Sequence, residues 1–164
     1  MNNTELTKEL VRELFSYKDG ILYHNISGRR KRVGAIAGNM DDGRVRVFIN
    51  GKQYYRSRIV FLYHSGFIPK YLDHIDGDTL NDRMSNLRQC TISQNGMNRG
   101  SGKNSSSQYK GVHWDKSRDK WCSQILVNGN KKHLGRFAKE KDAAMAYDKA
   151  ANELHGIFAR LNFN

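Results

Sequence analysis

Apolar positions divide the chain into short segments of changing periodicity. Leu6, Leu10, Val11 and Leu14 recur at the spacing of one helical face, with Thr4 as a candidate cap. ILYHNI follows as an extended run. In RVRVFINGKQYY, Val45, Val47 and Ile49 alternate with Arg44, Arg46 and Phe48, which predicts a strand buried on one face. Asn50-Gly51 supplies a hairpin turn after it. SRIVFLYHSG reads as a short helix opened by Ser57 and stopped by Gly66. Pro69, the only proline, forces extended chain toward Tyr71 and Leu72. A second short helix is expected around SQNGMN within residues 84–98, although Gly96 is a poor helix former.

The pattern stops at RGSGKNSSSQ, residues 99–108, which hold no large apolar side chain and read as a boundary or tether. The expected division is therefore residues 1–98, a linker at 99–107, and a second domain at 108–164. In that domain YKGVHW, KWCSQILV and KKHLGRF read as three strands, with Asn128-Gly129 turning between the last two. KEKDAAMAYDKAANELHG reads as one helix stopped at Gly156. Ala143, Tyr147, Ala150 and Leu154 share a face of it, and the small alanines let it lie close to a sheet.

Charge narrows the choice of partner. The 164 residues carry 28 Lys and Arg against 16 Asp and Glu, a formal charge of +12. Such an excess favours encounter with a polyanion, so nucleic acid leads, ahead of incidental charge and an anionic membrane surface. No apolar run approaches the roughly 18 residues of a membrane span, and MNNTELTKEL does not read as a signal peptide. The two cysteines, Cys90 and Cys122, form no CxxC pair, which argues against a cysteine-held zinc. A reducing cytoplasm is the simpler setting.

Candidate chemistry concentrates in YLDHIDGDTLNDRMSNLRQCTISQNGMN, residues 71–98, which are rich in Asp and Asn but hold a single histidine. Asp73 is a hard oxygen donor suited to Mg²⁺, and His74 can take a proton from water near neutral pH. Asn95 supplies a second, neutral oxygen, and Asn86 can tie the intervening loop together. Ordinary turn chemistry is the competing account of the same residues. His24 and His64 read as surface or packing residues, and His155 as a helix-end residue.

DHIDGD…NDR..NLR…..QN..N resembles the HNH nucleases, in the asparagine-containing branch of phage and intron-borne homing endonucleases. The resemblance implies a two-stranded ribbon followed by a helix around one divalent ion. It assigns Asp73 and Asn95 to Mg²⁺, with Mn²⁺ as a substitute, His74 to water activation and Asn86 to a central structural role. Asn98 competes with Asn95 for the last ligand position. Arg83, Arg88 and Arg99 become phosphate neutralisers. Two departures stand out: Ser57-Arg58 where relatives carry His-Arg, and Asn81-Asp82 where they often read Asp-Asn.

Residues 108–163 resemble the AP2 DNA-binding domain, through YKGVHWDKSRDKWCSQI, KKHLGRF and DAAMAYDKAANELHGIFARLNF. In that family the sheet, not the helix, enters the major groove. Alternation puts Trp121, Ser123, Ile125 and Val127 on one face of the second strand, and Cys122, Gln124 and Leu126 on the other. Trp121 and Ile125 are expected under the helix. Gln124 faces DNA with Lys110 and His113 of the first strand and Lys131 and His133 of the third, while Lys120 reaches a phosphate. Where the family carries arginines, this chain has Lys110, His113, Asp115, Leu126 and Lys131. Lysine lacks the planar guanidinium fork, so plant-type base preferences do not transfer.

The expected fold class is α+β: an N-terminal HNH (ββα-metal) nuclease unit, then an AP2-like three-stranded antiparallel sheet packed on one helix. The expected function is a metal-dependent DNA endonuclease, of homing or site-directed type, acting on double-stranded DNA. The host cytoplasm is the expected location, with no membrane, no obligate protein partner, and a monomer or weak dimer as the state. The alternatives are a catalytically inactive, sequence-specific DNA-binding regulator and an RNA-binding accessory protein. The target sequence and the choice between nicking and double-strand cleavage stay open.

Overall fold

Thr7 opens the first helix. Its side-chain oxygen accepts the Leu10 amide at 3.2 Å, and α1 runs Lys8–Leu14. The structure, a computed structural model, describes residues 5–28, 31–102 and 105–163, so the Thr4 cap expected from sequence lies outside the described residues. β1 (Phe15–Lys18) and β2 (Ile21–His24) form an antiparallel hairpin turned by Asp19 and Gly20, both at positive φ. Gly20 is required sterically as well as conformationally. A Cβ there would lie 2.7 Å from the Arg83 nitrogen and 2.9 Å from the Asp82 carbonyl carbon, so the hairpin turn presses directly on the backbone of the loop at 82–83.

β3 (Asn39–Asp41), β4 (Arg44–Ile49) and β5 (Lys52–Tyr55) make a three-stranded antiparallel sheet in the order β3-β4-β5. The alternation in β4 sends Val47 and Ile49 into the core and leaves Arg44 and Phe48 exposed. β5 runs directly into α2 (Arg56–Ser65), so Tyr55 occupies the cap position and makes no side-chain capping bond. Ser57, expected as the cap, therefore falls inside the first turn, where it is buried. Gly66 ends the helix in the left-handed conformation, its N–H on the Leu62 carbonyl. Val11, Phe15, Leu22, Val47, Ile59, Val60 and Leu87 belong to one apolar core. β6 (Leu72–His74) and β7 (Leu87–Gln89) complete this part as an antiparallel pair.

The chain divides into two compact units, Met1–Cys90 and Thr91–Asn164. The division falls earlier than the stretch at 99–107 that reads as a tether. α3 (Ile92–Met97), closed at its start by a Thr91–Gln94 capping box, thus belongs to the second unit. One reason is Lys110, whose amine donates to the Met97 carbonyl. The serines read as linker are also used there. Ser106 Oγ accepts the Trp114 amide at 2.9 Å, and buried Ser107 donates to Glu140 Oε1 at 2.6 Å. They add nothing to an apolar core, yet they satisfy polar groups within β8 and at the start of α4. Lys103 and Asn104 of that stretch lie outside the described residues.

β8 (Val112–Asp115), β9 (Lys120–Val127) and β10 (Asn130–Phe137) form the second sheet in the order β10-β9-β8, followed by α4 (Glu140–His155). Ile125 packs with Tyr147, Ala150 and Ala151, while Trp121 packs on a cluster of Val112, Ala143 and Ala144. Leu154, expected on the buried face, is exposed; His155 takes the covered place, with Nε2 2.9 Å from the Leu126 carbonyl oxygen. The helical stripe drifts along sixteen residues, and by its last turn the position facing the sheet has moved on by one. No described helix is long and apolar enough to cross a membrane.

Of the described glycines in the second unit, Gly111 leaves the least room. It sits at φ +76°, and a Cβ there would lie 2.0 Å from the buried Tyr147 ring. Gly111→Ala is expected to cost the second unit about 3 kcal/mol or more, from backbone strain and overpacking together. Both tryptophans of the chain, Trp114 and Trp121, lie in this unit. Thermal unfolding followed by tryptophan fluorescence therefore reads it selectively, and an unchanged midpoint would contradict the packing argument.

Candidate functional site

β6 ends on Asp73 and His74, the two residues from which the resemblance leads one to expect the chemistry. Asp73 and His74 are both buried, and across the ribbon Asp73 faces Arg88 while His74 faces Leu87. The cross-strand placement gives an ion pair: Arg88 Nε and Nη2 lie 2.8 and 2.7 Å from Asp73 Oδ2. His74 Nε2 lies 2.8 Å from Asp82 Oδ1, and the other oxygen of Asp82 accepts from Arg56 Nε at 2.7 Å. Between the strands, Asn86 closes the loop. Its Nδ2 donates to Asp76 Oδ1 at 2.9 Å and to the Asn81 carbonyl at 2.8 Å, while its Oδ1 accepts the Asp76 amide at 3.1 Å. Burial pushes the Asp76 carboxyl up. The hydrogen bonds from Asn86, Asn81 and the Asp78 backbone, with the nearby His74 charge, outweigh it and leave Asp76 below its ordinary value. Burial first, then the Asp73 charge, raises the Cys90 thiol, with Arg88 opposing.

In the second unit the register sorts the sheet into faces. Opposed residues share a face, so His113 and Cys122, Gln124 and His133, and Leu126 and Lys131 stand together on the side away from α4. A bulge between His133 and Gly135 inserts one residue into β10. Leu134 packs on the core, and Arg136 returns to the face of Cys122. There Arg136 Nε lies 2.9 Å from Asp115 Oδ2, and Nη1 lies 3.3 Å from His133 Nε2. Arg136 first, then Ser117, holds the Asp115 carboxyl well below the usual carboxylate range. Lys120, Lys131 and His133 are exposed.

Residues 54–97 match the HNH endonuclease family, and residues 107–157 match the AP2 domain. Protein 3.8 of Escherichia phage T7 is 36% identical over 115 residues, which cover 66% of this chain and 94% of that protein. The uncharacterized HNH endonuclease L560 of Acanthamoeba polyphaga mimivirus is 37% identical over 114 residues, 68% of this chain and 58% of that protein. The chain carries an N-terminal HNH-endonuclease-like domain. Its C-terminal part is AP2-like: APETALA2-like protein 2 of Oryza sativa subsp. indica is 42% identical over 59 residues, 36% of this chain and 14% of that protein. The architecture is thus an HNH-nuclease-type domain acting on DNA, followed by an AP2-like sheet and helix.

Within the HNH unit the fold brings Asp73, His74, Asn86 and Arg88 together, while Arg83 is exposed. Asn95 is half-buried on α3 and Asn98 is buried at its end, both in the second unit, where Arg99 is exposed. Among the described residues, no group of three or more His, Cys, Asp or Glu side chains is placed to hold a metal ion. Within the AP2-like unit, Lys110 precedes β8 rather than standing on it, and its amine is used on α3. Burial, then the Arg160 charge, lowers it to about 8. Asp82, Arg56 and Arg136 are the residues that sequence reasoning does not select. The Asn81-Asp82 order was the only available signal for the first of them. Arg136 is hidden by the bulge, because uninterrupted alternation from His133 would turn it toward α4.

Proposed function

We propose that the chain hydrolyses phosphodiester bonds in duplex DNA as a divalent-metal-dependent endonuclease of homing or site-directed type. The observation that carries this reading is the buried Asp73-His74 pair, held by an Asn86-closed loop within residues that match HNH endonucleases. His74 takes the proton of the attacking water, and the hydroxide formed attacks phosphorus in line. Asn86 keeps the loop, and with it the strand end bearing His74, in place. Arg83 and Arg99 lie exposed and are available to neutralise phosphates of the duplex.

The donor types expected from the resemblance suit a hard cation, with Asp73 Oδ2 held by Arg88. Asp73 offers carboxylate oxygen, and Asn95, with Asn98 as the competing position, offers an amide oxygen. Mg²⁺ takes one or two such protein ligands and keeps waters and phosphate oxygens for the rest. When bound, such an ion supplies charge stabilisation at the scissile phosphate and its leaving oxygen. The AP2-like sheet holds the duplex through Lys120, Gln124, Lys131, His133, His113 and Arg136, which lengthens residence on DNA.

Purified chain should cut supercoiled plasmid in Mg²⁺ or Mn²⁺ and leave it intact in EDTA. Binding without cutting in either metal would make the chain a DNA-binding regulator instead. Asp73→Ala should impair cleavage more than Asn95→Ala, since it removes the charged ligand, and excess metal should partly restore the latter. Calorimetric titration with Mn²⁺ checks the assignment. Unchanged metal binding in both variants would remove it, whereas a loss only in Asn98→Ala would move the second ligand by one turn.

A further inference from the structure

We propose that Asp82 is a positioning residue for His74: it holds the imidazole proton on Nε2 and thereby keeps the lone pair on Nδ1, the nitrogen that receives the proton of water. The catalytic consequence rests on the nuclease reading above; the tautomer itself does not.

The argument is one of donors and acceptors. A guanidinium nitrogen can only donate, so Asp82 Oδ2, 2.7 Å from Arg56 Nε, accepts. A carboxylate paired with a guanidinium offers acceptors at both oxygens. His74 Nε2, 2.8 Å from Oδ1, must therefore carry the hydrogen. A neutral imidazole has one N–H, which leaves Nδ1 as the acceptor. The chain of contacts continues behind Asp82, where Arg56 Nη2 donates to the Leu80 carbonyl at 3.0 Å.

Contacts from α2 and from the β1–β2 hairpin fix the loop that carries Asp82, which is only 2% exposed. Arg56 is the first residue of α2. The Asp19-Gly20 turn lies against the backbone of Asp82 and Arg83 so closely that only glycine fits. Tyr17 on β1 accepts the Met84 amide through its hydroxyl at 3.0 Å. The neighbouring Asn81 has different work: its Nδ2 donates to Asp76 Oδ2 at 2.6 Å, and its carbonyl takes Asn86. The order Asn81-Asp82 thus matches an amide to the Asp76 loop and a carboxylate to the histidine. Asparagine at 82 would have to turn its oxygen to Arg56 and its NH₂ to His74, which makes Nε2 an acceptor and moves the ring proton to Nδ1.

Long-range ¹H–¹⁵N spectra of the histidine-labelled full chain, without metal or DNA and at a pH where imidazole is neutral, read this directly. His74→Gln assigns the resonance. The parent chain should show a single His74 tautomer with the proton on Nε2. In Asp82→Asn the proton should move to Nδ1, and kcat for plasmid cleavage should fall at least about a hundredfold with KM within about twofold. A parent His74 protonated on Nδ1 would overturn the proposal without recourse to any variant. So would a folded Asp82→Asn chain with the parental tautomer and kcat. If the parent cuts no DNA, the nuclease reading fails, and the ring-nitrogen spectrum still decides whether Asp82 sets the tautomer.

Discussion

His74→Ala is expected to cut duplex DNA at least about a hundredfold more slowly than the parent chain while binding it equally well. The substitution removes the base that accepts the proton of water, and it removes no lysine or arginine. Asp82 keeps its Arg56 partner at 2.7 Å, so the buried ion pair survives. One carboxylate oxygen loses its imidazole partner, a cost of about 1–3 kcal/mol in stability, which a thermal melt would register separately. The proper measurement is single-turnover cleavage of a labelled duplex with enzyme in excess, beside binding measured in a non-cleaving buffer. A variant that cuts at the parental rate would remove His74 from the chemistry. A variant that loses binding in the same proportion as cutting would show that His74 acts on DNA association rather than on the bond.

Replacing Lys120, Lys131 and Arg136 together by alanine should flatten the dependence of log affinity on log salt by about 2.7 units. Each cation that neutralises a phosphate releases about 0.9 of a counterion, and the three stand on the sheet or at its edge, on the side away from α4. Between about 50 and 200 mM salt the parent chain should then lose about fortyfold more affinity than the variant. A change of about 1.8 units would place Arg136 wholly on Asp115, its partner at 2.9 Å, and leave the two lysines as the phosphate contacts. No change in slope would refute the sheet as a DNA surface. The catalytic rate at saturating DNA should hold throughout, because none of the three belongs to the HNH unit.

The local pattern made several elements readable. Strict alternation in residues 44–49 showed which side of β4 is buried, since a strand has only two faces and one of them carried Arg44 and Arg46. The alanines at 143 and 150 marked the helix that lies on a sheet, because only small side chains allow that approach. β1 and β3 escaped notice for the opposite reason: at four and three residues they are too short for a period to declare itself. Their turns, Asp19-Gly20 and Asp42-Gly43, were the available signal. Ser57 misled as a cap because capping propensity assumes a loop before the helix, and here a strand leads straight in.

By itself the sequence determined most of the element types and the α+β class, because these depend on periodicity and turn chemistry at short range, while Asp73, His74 and Asn86 stood out as candidates through the resemblance to HNH nucleases. The tertiary structure decided which polar groups meet. Asp82 lies eight residues from His74 and 26 from Arg56, and the three converge only because a hairpin turn, a helix start and a ribbon end pack on one loop. A single inserted residue in β10 decided the face of Arg136, since alternation inverts wherever the ladder slips by one. Side-chain identity sets what each group can donate or accept; the packing of distant segments sets which partner it finds.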